Sequence, residues 1–317
     1  MKPPLDGIAR FLVRPIIRNG RIRIVDAILI FWFMFLSGAM IVRPILDGLK
    51  DPIGMDAIIY TTAARALVAG ADPWHVQAFQ TGFAAPPPSL IPYLALAWLP
   101  DVVVGWLGVG IAFISAVYAI HHLRLPVWWL LFPPTVLGIA AGSSALPMLA
   151  LLVRGGAAAD ALAVATRAYA ILPLVSAGRW RGLLVGALVI AISAPLVAWP
   201  NFVSDRDHVA LLLAIQSNGG LSATAVPLLV PFAGVLLVLI GRRRAGWLLV
   251  PALWPDAQLH YASIAMPVLA EMPVMAIALS AATPVLVVAG LVGQVVVDRL
   301  AGPQDSASNS VAHEPAE

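Results

Sequence analysis

The chain has 317 residues, of which 61% are hydrophobic and 11% are charged, and its formal net charge is +3. Soluble domains carry about 25% charged residues, so this composition excludes an ordinary soluble domain and favours an integral membrane protein with several spans. The absence of cysteine excludes disulfides, thiolate nucleophiles and cysteine-based metal sites. We attribute the small basic excess to cytoplasmic loops and expect no nucleic-acid partner.

Residues 1–23 form a basic segment with six lysine or arginine side chains and one aspartate. By the positive-inside rule this predicts a cytoplasmic N-terminus. Apolar residues between the arginines fit either a short interfacial helix or a solvated basic tail. The apolar run from Ile24 to Val42 is long enough to span a membrane, and no small-residue cleavage site follows it. We therefore expect a retained first span.

The first outer loop, residues 43–88, is the polar stretch between the first span and all the others. Asp56 precedes the alanine-rich stretch Ala57 to Ala69, and Gly70 follows it. This pattern predicts a short helix with Asp56 as its N-cap and Gly70 as its C-terminal glycine. A carboxylate held at a helix start beside a membrane-facing cavity can also act as a general base. Both interpretations of Asp56 stay open.

The later apolar runs predict an all-α polytopic membrane protein with about 9–11 transmembrane helices in one domain over residues 24–299. Alternating the spans puts the Arg179 and Arg242 clusters on the cytoplasmic side, as the positive-inside rule requires, whereas Arg124 and Arg154 fall outside. Residues 300–317 are polar, and we expect them to be disordered. The predicted spans after the first are 88–100, 102–120, 126–141, 143–153, 157–176, 182–199, 223–241, 245–256, 261–279 and 282–298.

Arg167 lies far from either end of the apolar run Ala157 to Ala177. An arginine in mid-span costs at least a few kcal/mol, so it normally faces a cavity or a partner. Counting about 1.5 Å per residue from Arg179 puts it about 18 Å from the cytoplasmic surface. A guanidinium there suits a lipid phosphate, which it can hold bidentately. The structural alternative is an ion pair with Asp160.

Two later turns fall on the outer side and carry polar groups that are expected to face the first loop. The alternatives are a hydrogen-bonded structural histidine in the second turn and an ordinary loop in the first. The adjacent histidines His121 and His122 lack a third ligand, and the sequence has no phosphate-binding glycine loop and no nucleotide motif, so we expect no metal and no cofactor. The candidate residues of the two turns are Gln216, Asn218, Gln258, His260 and Tyr261.

Several of these motifs, in order, resemble membrane glycosyltransferases of the GT-C type, in particular glycosyltransferase family 87. That family includes actinobacterial polyprenyl-phosphate-mannose-dependent mannosyltransferases. The stretches that carry the resemblance are Asp56-Ala-Ile-Ile-Tyr60, Gly70-Ala-Asp72-Pro73-Trp74, Phe83 to Pro88, Arg167 to Arg181, Gln216 to Leu221 and Asp256 to Tyr261. The chain departs from the family pattern at Arg167, where a lysine followed by proline is usual, at Ala85, and at Gly142-Ser143-Ser144.

The resemblance implies a GT-C-like fold whose long first outer loop carries short helices and the active site. It implies transfer of a sugar, most simply mannose, from a polyprenyl-phosphate donor to a cell-envelope glycolipid or glycan acceptor, with inversion. In that scheme Asp56 is the general base, Arg167 binds the donor phosphate, and no metal is needed. The implied substrate-binding residues are Tyr60, Asp72, Gln216, Asn218, Gln258, His260 and Tyr261.

The expected location is the plasma membrane, as a multi-pass protein in contact with the bilayer, with a cytoplasmic N-terminus and the active site on the outer face. One alternative function is a transporter or flippase for a lipid-linked sugar or another amphiphile, which explains the many spans and Arg167. It does not explain an outer loop with a helix and an Asp-Pro-Trp motif. A second alternative is a non-catalytic membrane partner in cell-envelope assembly.

Overall fold

A computed structural model of the chain provides the coordinates. Most of the predicted basic segment 1–23, the tail 301–317, Asn218 and Asp256 lie outside the described residues, as does the side chain of Gln216. The structure describes residues 17–18, 21–22, 24–46, 52–79, 81–194, 198–217, 220–255, 257–281 and 283–300.

The described chain is predominantly helical, and strands occur as two short antiparallel pairs. Short 3₁₀ helices connect several of the α-helices. The strands are β1 (Ile17–Arg18), β2 (Arg21–Ile22), β3 (Gln77–Ala78) and β4 (Thr81–Gly82). The α-helices are α1 (Ile24–Leu46), α2 (Met55–Val68), α3 (Ile91–Leu94), α4 (Asp101–His122), α5 (Pro133–Ala140), α6 (Ala145–Arg154), α7 (Ala157–Thr166), α8 (Ile171–Ser176), α9 (Trp180–Ser193), α10 (Trp199–Ser204), α11 (Arg206–Ser217), α12 (Val230–Ile240), α13 (Arg242–Leu253), α14 (Met266–Leu269), α15 (Pro273–Ser280) and α16 (Pro284–Leu300).

Two described helices are long and apolar enough to cross a membrane, α1 through its segment Ile24–Val42 and α4 over Asp101–His122. The pair α5 and α6 also meets this test when taken together, but its two halves are bent by 118°. The described helices therefore include two that can span a membrane, or three if the bent pair forms one span. The larger count of 9–11 spans stays a prediction.

The apolar run over residues 157–176 is not one continuous helix, contrary to the sequence prediction. Helix α7 ends at Thr166, and Arg167 has an extended backbone (φ −148°, ψ 119°) before the chain resumes helical turns at Ala168. The depth estimate for Arg167, which assumed an unbroken helix, therefore does not hold. Broken apolar helices are tolerated where the freed backbone is buried in protein or lines a cavity.

The first-loop helix is present as α2, but Asp56 is not its N-cap. Gly54 occupies that position, with no side-chain cap hydrogen bond, and Asp56 lies in the first turn. At the other end Gly70 adopts φ +73°, and the N–H of Ala71 donates to the carbonyl of Ala66 over 2.8 Å, as in a Schellman motif. The predicted C-terminal glycine is thus confirmed, and the Asp56 carboxylate is not used as a cap.

Glycines fix the start of α2 against the rest of the molecule. Gly54 adopts φ +76°, and a Cβ there would lie 2.2 Å from the carbonyl oxygen of Gly105 in α4. The N–H groups of Gly54 and Asp56 donate to the carbonyls of Ala140 and Ala141 over 2.9 Å each. These contacts anchor Asp56 directly at the break between α5 and α6, because only a glycine permits such close backbone approach.

The described residues pack around several apolar clusters. The largest joins α1, α4, α6 and the C-terminal helices α12 to α16. A separate cluster gathers Tyr60, Trp74, Phe83 and Leu90 of the first-loop region with Val209 of α11. The indole N–H of Trp74 also donates to the carbonyl of Ala85 over 3.1 Å. The described part of the first loop therefore has its own apolar core, which explains how it can hold side chains in fixed positions.

Candidate functional site

A cavity of about 380 Å³ opens between the first loop, the break at Arg167, the helices α10 and α11, and the side chains of Trp254, Gln258 and Tyr261. This volume is in the range of small-molecule sites, about 300–1,000 Å³. Five of the predicted site residues line it, from three separate parts of the chain, and they are Asp56, Tyr60, Arg167, Gln258 and Tyr261.

Arg167 is the cationic group of the cavity. Its side chain is buried, with 8% exposed, and its Nε donates to Oγ of Ser144 over 2.7 Å, while Nη1 donates to the hydroxyl of Tyr261 over 3.2 Å. The guanidinium carbon lies 5.0 Å from the ring centroid of Tyr60 and 5.3 Å from that of Tyr261. Hydrogen bonds and aromatic faces thus hold the guanidinium in a fixed orientation beside the cavity.

No described carboxylate lies within 4.0 Å of Arg167. The alternative of an ion pair with Asp160 is wrong, because Asp160 pairs with Arg179. The close approach of α9 to α7 at Gly182, where a Cβ would lie 2.4 Å from Cβ of Asp160, allows this pairing. Burying a cation without a counter-ion is costly. The position therefore favours an anionic ligand.

Asp56 is the carboxylate of the cavity. Its Oδ2 lies 3.4 Å from Nε2 of His260, and their side chains are 14% and 4% exposed. Nε2 of His260 makes no hydrogen bond to the described residues, and His260 is not part of the cavity wall. The imidazole thus lies beside the carboxylate but outside the cavity wall, which leaves Asp56 as the group that can take a proton from a bound molecule.

The polar and apolar parts of the cavity are separate. Aromatic and polar groups surround Arg167, whereas α10, α11 and the loop around Phe83 contribute mostly apolar side chains. An amphiphile with a charged head and a hydrocarbon chain matches this division. The apolar side chains of this wall are Phe83, Ala84, Ala85, Pro86, Phe202, Val209 and Leu213.

The structure places Asp72 away from the cavity. Its carboxylate accepts a hydrogen bond from the N–H of Trp74 over 2.9 Å, as the cap of the 3₁₀ helix Pro73–His75, and it does not line the cavity. The sequence prediction that Asp72 binds substrate with Asp56 is therefore not supported by this geometry. The predictions for Gln216 and Asn218 stay untested, because the side chain of Gln216 and the whole of Asn218 lie outside the described residues.

The sequence reasoning missed Ser144 as a site residue. The break between α5 and α6 places it against Arg167, and Gly142 in the same break adopts φ +63° and lies in backbone contact with Gly108 and Gly54. The available sequence signal was the pair Ser143 and Ser144, which directly follows Gly142 inside an apolar run. Broken apolar helices use such positions to present polar groups inside a membrane protein.

Searches for relatives found no match to the chain among protein-family models, curated proteins or solved structures. The resemblance to glycosyltransferase family 87 thus depends on the sequence motifs and stays a prediction.

Proposed function

We propose that this protein is a membrane glycosyltransferase that moves a sugar from a polyprenyl-phosphate donor to a hydroxyl group of a cell-envelope acceptor. The observation that carries the proposal is a buried Arg167 without a described carboxylate partner, lining the same cavity as the carboxylate of Asp56. A phosphate bound to the guanidinium provides the missing negative charge. An acceptor hydroxyl beside Asp56 then has a base within the same cavity.

The proposed reaction is a single displacement. Asp56 accepts the proton of the acceptor hydroxyl, whose oxygen attacks the anomeric carbon of the donor sugar. The bond from that carbon to the phosphate oxygen breaks, and polyprenyl phosphate leaves with the electron pair. Arg167 stabilises the negative charge that develops on the phosphate. Attack opposite the leaving group inverts the configuration, and mannose is the sugar that the sequence resemblance suggests.

The apolar cavity wall from α10, α11 and the Phe83 loop supports an isoprenoid donor, since it offers hydrocarbon contact next to the cation. Large exposed apolar side chains also cover short helices, such as Leu184 and Leu188 in α9 and Phe232 and Val238 in α12. Exposed apolar area on this scale marks a surface that contacts lipid or a partner. We infer from it a multi-pass protein in the plasma membrane, with more of these helices in lipid than α1 and α4.

A transporter of a lipid-linked sugar is the second candidate, and the broken helices α5–α6 and α7–α8 favour it, because transporters bind substrates at such breaks. Incubating the purified protein in detergent with radiolabelled polyprenyl-phosphate mannose and a mixture of envelope glycolipids separates the two. A transferase moves label to the acceptor without a second compartment. A transporter leaves the label on the donor and moves it only between the leaflets of a vesicle.

A further inference from the structure

A second polar cluster lies outside the cavity and joins two segments that are distant in sequence. Nδ1 of His75 lies 3.6 Å from Oδ2 of Asp72 and 3.5 Å from Oδ2 of Asp205. One potential ligand atom from each of the three residues lies within 4.8 Å of the other two. The cluster therefore brings two carboxylates and one imidazole to a single point.

Local structure holds each of these groups in place. Asp72 and His75 flank the 3₁₀ turn that begins with Pro73, and Asp205 lies at the junction of α10 and α11. The ring of His208, in the first turn of α11, stacks on the ring of His75 with centroids 4.6 Å apart and an interplanar angle of 2°. The imidazole of His75 thus stacks on His208, and its Nδ1 lies within 3.6 Å of an oxygen of each carboxylate.

The cluster has more negative charge than its described neighbours balance. No lysine or arginine among the described residues lies within 4.0 Å of Asp72 or Asp205, and Oδ2 of Asp205 is buried without a hydrogen-bond partner there. Two carboxylates whose oxygen atoms lie within 4.8 Å of each other repel unless a cation lies between them.

We propose that Asp72, His75 and Asp205 bind one divalent transition-metal ion, for which Zn²⁺ is the best-fitting probe. Imidazole nitrogen with carboxylate oxygen is a common zinc donor set, and three protein ligands leave a fourth position for water. Tetrahedral bonds of about 2.0–2.1 Å separate ligand atoms by about 3.4 Å. The observed 3.5 and 3.6 Å are close to this spacing, so small side-chain movements suffice.

The ion would fasten the first loop to the α10–α11 segment. These two parts already touch through Trp74 and Phe202, whose ring centroids are 5.2 Å apart. Each part also contributes side chains to the apolar wall of the cavity, such as Phe83 and Phe202. None of the three ligands lines the cavity itself. The site is therefore a clamp on the cavity wall and has no direct part in the chemistry, so it is independent of the proposed sugar transfer.

The test measures zinc binding and thermal unfolding of the full-length protein in detergent after treatment with EDTA. We expect one Zn²⁺ per chain and a rise in Tm of about 5 °C at a free zinc concentration 100 times the Kd. His75→Gln and Asp205→Asn should each lose the bound zinc and the rise. Asp207→Asn is the matched control, because that side chain is 95% exposed in the helix that follows Asp205, and the substitution should leave zinc binding and the Tm rise unchanged.

Without metal, Asp205→Asn should match or exceed the wild-type Tm, because it removes one of two facing carboxylates. With zinc, the Tm of the wild type should exceed that of Asp205→Asn.

Equal zinc-induced rises in Tm in the wild type and both variants would overturn the proposal and assign the metal to other side chains, such as His121 and His122. A larger shift with Ca²⁺ or Mg²⁺ than with Zn²⁺ would overturn the proposed metal class. If Asp205→Asn fails to fold, His75→Gln decides, since that side chain is 57% exposed.

Discussion

Replacing Arg167 with methionine separates a binding role from a structural one. In a structural role, the guanidinium contributes two hydrogen bonds from a charged group, about 1.5–3 kcal/mol each, and two aromatic contacts of about 0.5–2 kcal/mol each. The opposing cost is several kcal/mol for burying a charge without a counter-ion. The favourable terms total about 4–10 kcal/mol and this cost offsets much of that sum, so we expect Arg167→Met to lower the Tm by less than about 8 °C.

The same substitution should strongly weaken binding of an anionic lipid. Removing one partner of a buried, hydrogen-bonded charge pair costs about 2–5 kcal/mol, and 1.4 kcal/mol is tenfold in affinity. We therefore expect polyprenyl phosphate to bind Arg167→Met about 30- to 4,000-fold more weakly, measured by titration in detergent. Arg167→Lys keeps the charge but loses the planar fork, and should give an intermediate value. A fall in Tm of more than about 8 °C with unchanged lipid affinity would refute the reasoning.

Three further substitutions test the scaffold by thermal unfolding. Gly54→Ala should destabilise the protein by at least about 2 kcal/mol, because the residue has φ +76° and its Cβ would meet the backbone of Gly105 at 2.2 Å; an unchanged Tm would contradict this junction. Gly110→Ala is its control, since its Cβ meets nothing within 4 Å, and it should stabilise α4 by about 0.5–1 kcal/mol. Ser144→Ala should cost about 1.5–3 kcal/mol by removing the 2.7 Å hydrogen bond from Arg167, and a rise in Tm would exclude that bond.

Local patterns predicted the first-loop helix well, because its signals lie within a few residues of one another. The alanine-rich run and Gly70 specified the helix body and its end, and these are present as α2. The predicted N-cap, Asp56, was wrong by two residues. Gly54 begins the helix because it packs against α4 and the α5–α6 break, and no nearby residue reports such a distant contact.

Long-range contacts also decided the features that the sequence did not predict. The run around Arg167 is as apolar as a continuous span, but its backbone is extended where the side chain reaches Ser144 and Tyr261. His75 and Asp205 lie close together in the structure but far apart in the chain, so they form no short metal-ligand motif that the sequence could reveal. Hydropathy and motif spacing therefore indicated which polar residues needed an explanation, while only the folded structure showed their partners.

The most direct test of the proposed function is sugar transfer by Asp56→Asn. Gly54 and not Asp56 occupies the N-cap, so this substitution removes the base without removing a cap. We expect transfer from radiolabelled polyprenyl-phosphate mannose to fall by about 10²–10⁴-fold, the usual contribution of a general base, with the Tm unchanged.

Asp207→Asn, the same change at an exposed position, should retain wild-type transfer. Transfer by Asp56→Asn at the wild-type rate would contradict the assignment of Asp56 as the base. Absence of transfer by the wild-type protein with every lipid-linked donor would contradict the proposed glycosyltransferase activity itself.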